Sequence, residues 1–327
     1  MKKPFFFIFS FFFLPAAYSQ YNQLHKKFFR LYADNDGLFL SNRSEDWGYT
    51  GGNRIDLFYN TPGGRSDFFS RFNQLAGQNS VTTKGWGLMQ LILTPKKIRP
   101  IVPDKNDYSY AGALIAVHTI HTANERGKIN LHTEWIVGML GPPSFAKQTQ
   151  IFFHDLIKNP RPMGWDYQLP TDLLLNYNIG VEKQLAGIKN ISFIGGAELF
   201  FGSMKDALSF HLLLQIGNKN GYFSGLTNQY FAANKPELSV SLRTSADLIL
   251  YNALLEGGIF NKESPVRNSH SKSGTSLQRL RTTGSLDLFI LFSTKKFAVS
   301  LTQKTVSTEF KGYGSHSIGN ISIYKPL

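Results

Sequence analysis

Apolar and polar residues alternate with a period of two along segment after segment of this chain. In residues 207–216, Leu208, Phe210, Leu212, Leu214 and Ile216 stand against Ser209, His211 and Gln215. Residues 172–185 repeat the pattern, with Leu173, Leu175, Tyr177, Ile179 and Val181 set among Asn176, Asn178, Gly180, Glu182 and Gln184. In residues 297–304, Phe297, Val299 and Leu301 oppose Ser300, Thr302 and Lys304. A strand sends successive side chains to opposite faces, so each such segment makes a half-buried strand rather than an amphipathic helix. The pattern predicts twelve strands, at 28–36, 49–59, 85–94, 108–121, 128–140, 172–185, 190–202, 207–217, 246–261, 278–294, 296–310 and 316–324. Hairpin turns are predicted at Ala186-Gly187, at Lys295-Lys296 and across Ala123 to Gly127.

Alternation alone suits a soluble sandwich as well as a membrane barrel; the N-terminus separates them. Met1-Lys2-Lys3 is followed by an apolar run from Phe5 to Leu14 and then Pro15-Ala16-Ala17-Tyr18-Ser19. A charged start, an apolar stretch and small residues make a secretory signal, with cleavage expected after Ser19. No later stretch is apolar for the length a spanning helix needs. There is no cysteine, so disulfide scaffolds, thiol catalysis and zinc–thiolate sites are excluded. Aromatics make up 14% of residues and the formal charge is +13. Lys and Arg are scattered, and the chain is exported, so anionic lipid headgroups rather than nucleic acid are the expected partners. The expected fold is all-β: a signal peptide over 1–19, then a twelve-stranded antiparallel transmembrane β-barrel of the outer membrane over 20–327, with one extracellular-loop helix.

That helix is predicted between the double proline Pro142-Pro143 and Asn159-Pro160. Ser144 can cap its start, Phe145 to Lys158 contains no Gly or Pro, and Pro160 with Pro162 forbids continuation. Gln150 and His154, four residues apart, stack on one face. A polar face turned to water would account for the pair by itself. A second polar group is Asp34-Asn35-Asp36-Gly37 at a strand end. It reads either as a turn signal or as hard oxygen ligands suited to calcium, which Asp46, Thr50 and the carbonyls of Tyr49-Thr50-Gly51-Gly52 would complete. His154 would then be a base, since imidazole is a poor calcium ligand. Strand parity puts Asp36, Thr50 and the helix on one extracellular rim, provided that the first strand runs outward.

Taken in order, the residues Asn35-Asp36, Asp46-x-x-Tyr49-Thr50-x-Gly52, Tyr110-Ala111-Gly112, Gly138-x-x-Gly141-Pro142, Gln150-x-x-x-His154 and Gly164-Trp165-x-x-Gln168 resemble the lipid A 3′-O-deacylases of the Gram-negative outer membrane. Each motif is weak, whereas the ordered series is specific. Where the family often reads Asp-Arg-Pro-Tyr-Ala-Gly, this chain has Asp107-Tyr108-Ser109-Tyr110-Ala111-Gly112. The resemblance implies a calcium-dependent esterase that removes the 3′ acyloxyacyl chain of lipid A, at a site between the barrel wall and a loop helix. Carried over, Asn35 and Asp36 are calcium-site residues together with Asp46. Thr50 lines the site, and Gln150 and His154 flank the scissile ester. A family lysine after the third strand corresponds to Lys97, with Lys96 and Lys105 as alternatives.

The residue types suit metal-assisted hydrolysis. Ca²⁺ polarises the ester carbonyl, His154 takes a proton from water, and Gln150 orients the water or the substrate. No Gly-x-Ser-x-Gly elbow is present. The expected activity is that of a carboxylic ester hydrolase acting on lipopolysaccharide as a monomer. The competing readings are a non-enzymatic pore or adhesin and an outer-membrane phospholipase.

Overall fold

The computed structural model describes residues 25–36, 48–61, 71–217 and 221–327. The predicted signal peptide over 1–19 and Asp46 lie outside this set. Its first six strands are β1 (Lys27–Asn35), β2 (Gly48–Asn60), β3 (Val81–Thr94), β4 (Ala111–Asn124), β5 (Ile129–Leu140) and β6 (Asp172–Ile188). They continue as β7 (Ile191–Gly202), β8 (Lys205–Gly217), β9 (Glu237–Asn252), β10 (Thr282–Ser293), β11 (Ala298–Val306) and β12 (His316–Pro326). Each strand pairs antiparallel with its neighbours in sequence, and β12 pairs with β1, so the sheet closes as a twelve-stranded barrel. Among the described residues no helix is long and apolar enough to cross a membrane.

The alternation resolves with its apolar side outward. Leu173 and Leu175 are exposed while Asn176 and Asn178 are buried, and Leu208, Phe210 and Leu212 are exposed around buried Ser209 and His211. A soluble sandwich needs the reverse. Here the outer surface is apolar and the lumen polar, the arrangement of a wall solvated by lipid. Cross-strand partners share a face, so the outer residues line up in rows around the barrel. One such row runs Leu31, Ile55, Leu88, Ala116, Val137 and Leu175 across β1 to β6.

The lumen is organised by charge. Asp56, buried on β2, accepts from Arg30 at 2.9 Å and from Arg54 at 2.8 Å. Arg54 continues to Glu134 at 3.3 Å. Further round, Glu182 pairs with His211 at 3.2 Å and Glu198 with Arg243 at 3.0 Å. Arg30, Glu182 and Arg243 of this network line a cavity of about 720 Å³. At the end carrying the chain termini, Leu226 and Tyr230 of the short helix α2 (Leu226–Tyr230) and the adjoining Phe231 pack on Phe28, Phe58 and Tyr324. At the other end, the far rim, Leu254 and Leu255 of α3 (Ala253–Glu256) cluster with Tyr108 and Phe310.

Most predicted strand bounds differ from the structure by a few residues, and two differences have a local structural cause. The ninth strand, expected at 246–261, spans Glu237–Asn252, because Asn252 caps α3 through its side chain and turns the chain into the lumen. The turn expected at Ala186-Gly187 instead falls at Lys189-Asn190. A bulge between Gln184 and Ala186 absorbs a residue and lets the β6–β7 ladder run on to Ile188. If the outer surface meets lipid, Leu242→Arg on β9 should destabilise the barrel by about 2–4 kcal/mol. The neighbouring Ser241→Gln, on the lumen side, should have little effect. Urea unfolding in liposomes, read by heat-modifiable gel migration, checks both.

Candidate active site

A helix backbone can come closest to a β-wall where the wall carries a glycine. Strand register gives that place. Asn35 pairs with Gly51, Gly51 with Ile92, and Ile92 with Gly112, so these four share one row on the outer face near the far rim. Adjacent strands stand roughly 4.8 Å apart, which puts Asn35 about 10 Å from Ile92 along the wall. Beyond β5, Gly141 takes φ 84° and its N–H donates to the Gly112 carbonyl at 2.8 Å, folding the chain straight back onto the row. A Cβ on Gly112 would meet Ala146 Cβ and Ser144 Oγ, so glycine is required at this contact. Gln90 Nε2 also donates to the Ser144 carbonyl at 2.6 Å.

The helix that starts here is α1 (Ala146–Leu156), which begins one residue later and ends two residues earlier than the predicted span. Phe145 takes a left-handed φ of 57°, and Ser144 Oγ accepts from the Ala146 N–H at 3.3 Å. The buried stripe of α1 is Ala146, Gln150 and His154, spaced four residues apart and turned to β3 and β4. Ala146 joins Ile92, Tyr110 and Trp165 in one apolar cluster. The polar pair is therefore not a solvated face: Gln150 is 4% exposed and His154 9%.

Both side chains are fixed by partners that the period-two and helical patterns do not reveal. Trp165 Nε1–H donates to Gln150 Oε1 at 2.7 Å, which directs the Gln150 amino group the other way. Trp165 is fully buried, its ring 4.9 Å from that of Tyr110. The Tyr110 hydroxyl donates to the Ile98 carbonyl at 3.1 Å, and the Met163 N–H to the same oxygen at 2.8 Å. The Tyr-Ala-Gly and Gly-Trp motifs thus hold one glutamine. His154 Nδ1 lies 2.6 Å from the Pro160 carbonyl, which can only accept, so Nδ1 carries the proton and the Nε2 lone pair is the basic one in the neutral ring. Arg161 clasps Asp155 through two bonds of 2.6 Å and secures the turn that presents that carbonyl. The guanidinium holds the Asp155 carboxyl below the usual carboxylate range.

The second group sits on the same wall surface. Asn35 Nδ2 donates to the Thr50 carbonyl at 3.0 Å and the Asp36 N–H to the same oxygen at 3.2 Å. Thr50 is the extra residue of a bulge between Tyr49 and Gly51, and its hydroxyl meets that of Thr94 at 2.6 Å. Thr94 is two residues beyond Ile92, which packs with Ala146 at the start of α1. Asn35, Asp36 and Thr50 are thus joined at the end of β1, two strands along the wall from Ile92, which packs with α1. Asp34 is separated from them. It faces the lumen, where Tyr32 and Tyr49 donate to it at 2.5 Å and 2.9 Å. Lys97 is exposed, its N–H bound to Asp107 at 3.2 Å, one residue before the Ile98 carbonyl that ties this loop to the Trp165 segment. The Lys105 carbonyl instead accepts from Ser276 N–H at 2.7 Å, across the rim on the β9–β10 connection.

The donors gathered around Asp36 are oxygens, which fits a hard cation in chemical type. No cluster of three His, Cys, Asp or Glu that could hold a metal occurs among the described residues. Such an ion would therefore draw on carbonyl, amide and water oxygen alongside Asp36. Sequence reasoning missed Trp165 as a support for Gln150, Thr94 as the partner of Thr50, and the Pro160 carbonyl. The only signal for the last was its place six residues after His154 in a turn that reverses the chain. Replacing Gly112 with Val should lift α1 from the wall. Hydrogen exchange should then show lost protection over 146–156 with β4 protection retained.

The family model for outer membrane protein LpxR matches residues 5–326. Among solved structures, LpxR from Salmonella typhimurium aligns with a TM-score of 0.70 at 16% identity, over 92% of this chain and 100% of that one. The β-domain of the Bordetella autotransporter BrkA aligns at 0.46 and 9% identity, over 93% and 100%. No curated protein sequence matches the chain.

Proposed function

The chain belongs to the outer membrane protein LpxR family, and on that premise we propose that it is a calcium-dependent lipid A 3′-O-deacylase of the outer membrane. It hydrolyses the 3′-linked acyloxyacyl ester at the outer wall surface between α1 and strands β1 to β3. The observation that carries this reading is the buried Gln150/His154 pair, one member oriented by Trp165 and the other by the Pro160 carbonyl. A helix that merely covered a barrel would have no use for an imidazole held in one tautomer against the wall. The site lies at the rim opposite the termini, which supports a position facing the cell surface.

In this mechanism His154 Nε2 takes a proton from water as the water oxygen attacks the ester carbonyl carbon. The Gln150 amino group, turned away from Trp165, orients that water or the carbonyl. The Pro160 carbonyl stabilises the imidazolium by keeping its Nδ1–H bonded. Collapse of the tetrahedral adduct breaks the bond to the sugar 3′ oxygen, which receives the proton from His154. The products are a free hydroxyl and a carboxylic acid, which gives its proton to water to become a carboxylate. Asn35 and Asp36, with Asp46, would hold Ca²⁺, which when bound supplies Lewis-acid polarisation of the carbonyl. Thr50 lines the same pocket, and Lys97 supplies a cation at its edge for the developing negative charge.

An open pore is the weaker reading, because α2 with Phe231 and α3 with Phe310 pack inward at the two ends of the lumen. Mass spectrometry of lipid A from cells with and without the protein tests the assignment: loss of the 3′ chain is expected, and unchanged lipid A overturns it. Release of glycerophospholipid acyl chains instead identifies a phospholipase. His154→Ala should lower turnover by about 10²–10⁴ with the barrel still heat-modifiable. Chelation should abolish hydrolysis, with Ca²⁺ and not Zn²⁺ restoring it.

A further inference from the structure

Helix α1 is amphipathic in an inverted sense. Its wall-facing stripe contains the polar pair, while its exposed surface is largely apolar: Phe152 is 64% exposed, Leu156 67%, Phe145 59% and Phe153 46%. At 3.6 residues per turn, Thr149, Phe152 and Leu156 fall in one stripe, roughly 120° round the helix from the stripe of Ala146, Gln150 and His154, and Phe145 is exposed at the turn just before it. The remaining flank is charged. Lys147 pairs there with Asp166 at 2.7 Å, and Asp155 with Arg161 at 2.6 Å. The helix therefore has three sides: one on the wall, one apolar and one ionic.

We infer that α1 is an interfacial membrane helix, whose Phe152–Leu156 stripe rests in the acyl chains of outer-membrane lipid. The argument is continuity with the barrel's own lipid-facing surface. Gln90, which bonds the carbonyl of Ser144 at the start of α1, is two residues from Leu88 on the same outer face. Leu88 stands about 7 Å nearer the termini, at a rise of roughly 3.4 Å per residue. It is exposed in a row with Ala116 and Val137, immediately beneath the helix. An apolar stripe directed away from that row would put two large side chains into water and the ions of the opposite flank into hydrocarbon. Directed toward it, the stripe extends the apolar belt and leaves Lys147 and Asp155 on the aqueous side. The groove between α1 and the wall then opens sideways into the leaflet.

This inference rests on the barrel and on α1, and not on the deacylase reading. The chain has no cysteine, so single substitutions can be labelled without background. Phe152→Cys, Leu156→Cys and Lys147→Cys, each carrying an environment-sensitive fluorophore, would be reconstituted in phosphatidylcholine vesicles with or without brominated acyl chains. Heat-modifiable migration would confirm the barrel in each. Blue-shifted emission quenched by brominated chains at 152 and 156, with neither effect at 147, is the expected result. Equal response on the two flanks, or quenching at 147 alone, overturns it. Protection at 152 and 156 that appears only as the protein-to-lipid ratio rises, without bromine quenching, would assign the stripe to a second copy of the chain and also overturn it. No substrate or turnover enters the readout, so failure here leaves the proposed activity untouched, and the reverse holds too.

Discussion

Closure of the sheet is the constraint on which the remaining structure depends. In a lipid surround each backbone group needs a partner within the protein, and pairing β12 with β1 leaves no edge strand. Closure also removes freedom of register, because a one-residue slip would turn every lipid-facing Leu into the lumen and every buried Asn or Asp into lipid. Once register is fixed, residues far apart in sequence acquire a common height. Asn35, Gly51, Ile92 and Gly112 form a row for this reason alone, and the helix after β5 can only land where that row ends in glycine.

The chemistry proposed at the wall follows from how α1 is held there. The side that faces protein is the polar one, so Gln150 and His154 lie in a space walled by Ile92, Trp165 and the glycine row, with little water competing for their hydrogen bonds. Two supports from one connecting segment, Trp165 and the Pro160 carbonyl, restrict each side chain to one useful orientation. The bulge at Thr50 has a comparable effect on β2. It aims an alternating strand's extra residue at Thr94 and frees its carbonyl to gather Asn35 and Asp36.

Much of this was legible from residue order. Alternation predicted the twelve strands and, with the export signal, the choice between sandwich and barrel; parity put the Asp-Asn-Asp turn and the helix on one rim. What escaped was set by contacts between non-neighbours. The Pro160 bond to His154 depends on how a turn closes. The separation of Asp34 into the lumen depends on where β1 ends, and it divides a run that looks like one acidic cluster. The Gln184/Ala186 bulge moved a turn by a few residues because the ladder, unlike the pattern, tolerates an extra residue. The start of β9 was misplaced because the most regular alternation, at 246–252, lies at the far end of that strand and continues visually into the α3 turn.

The candidate site is on the outside of the wall, whereas Tyr230 of α2 and Leu254 and Leu255 of α3 line the cavity inside. A groove on the outer surface searches in a plane. Encounter with any leaflet-borne molecule is governed by surface density and lateral mobility, so stiffening or loosening the lipid packing would regulate supply to this groove even with no change in the protein.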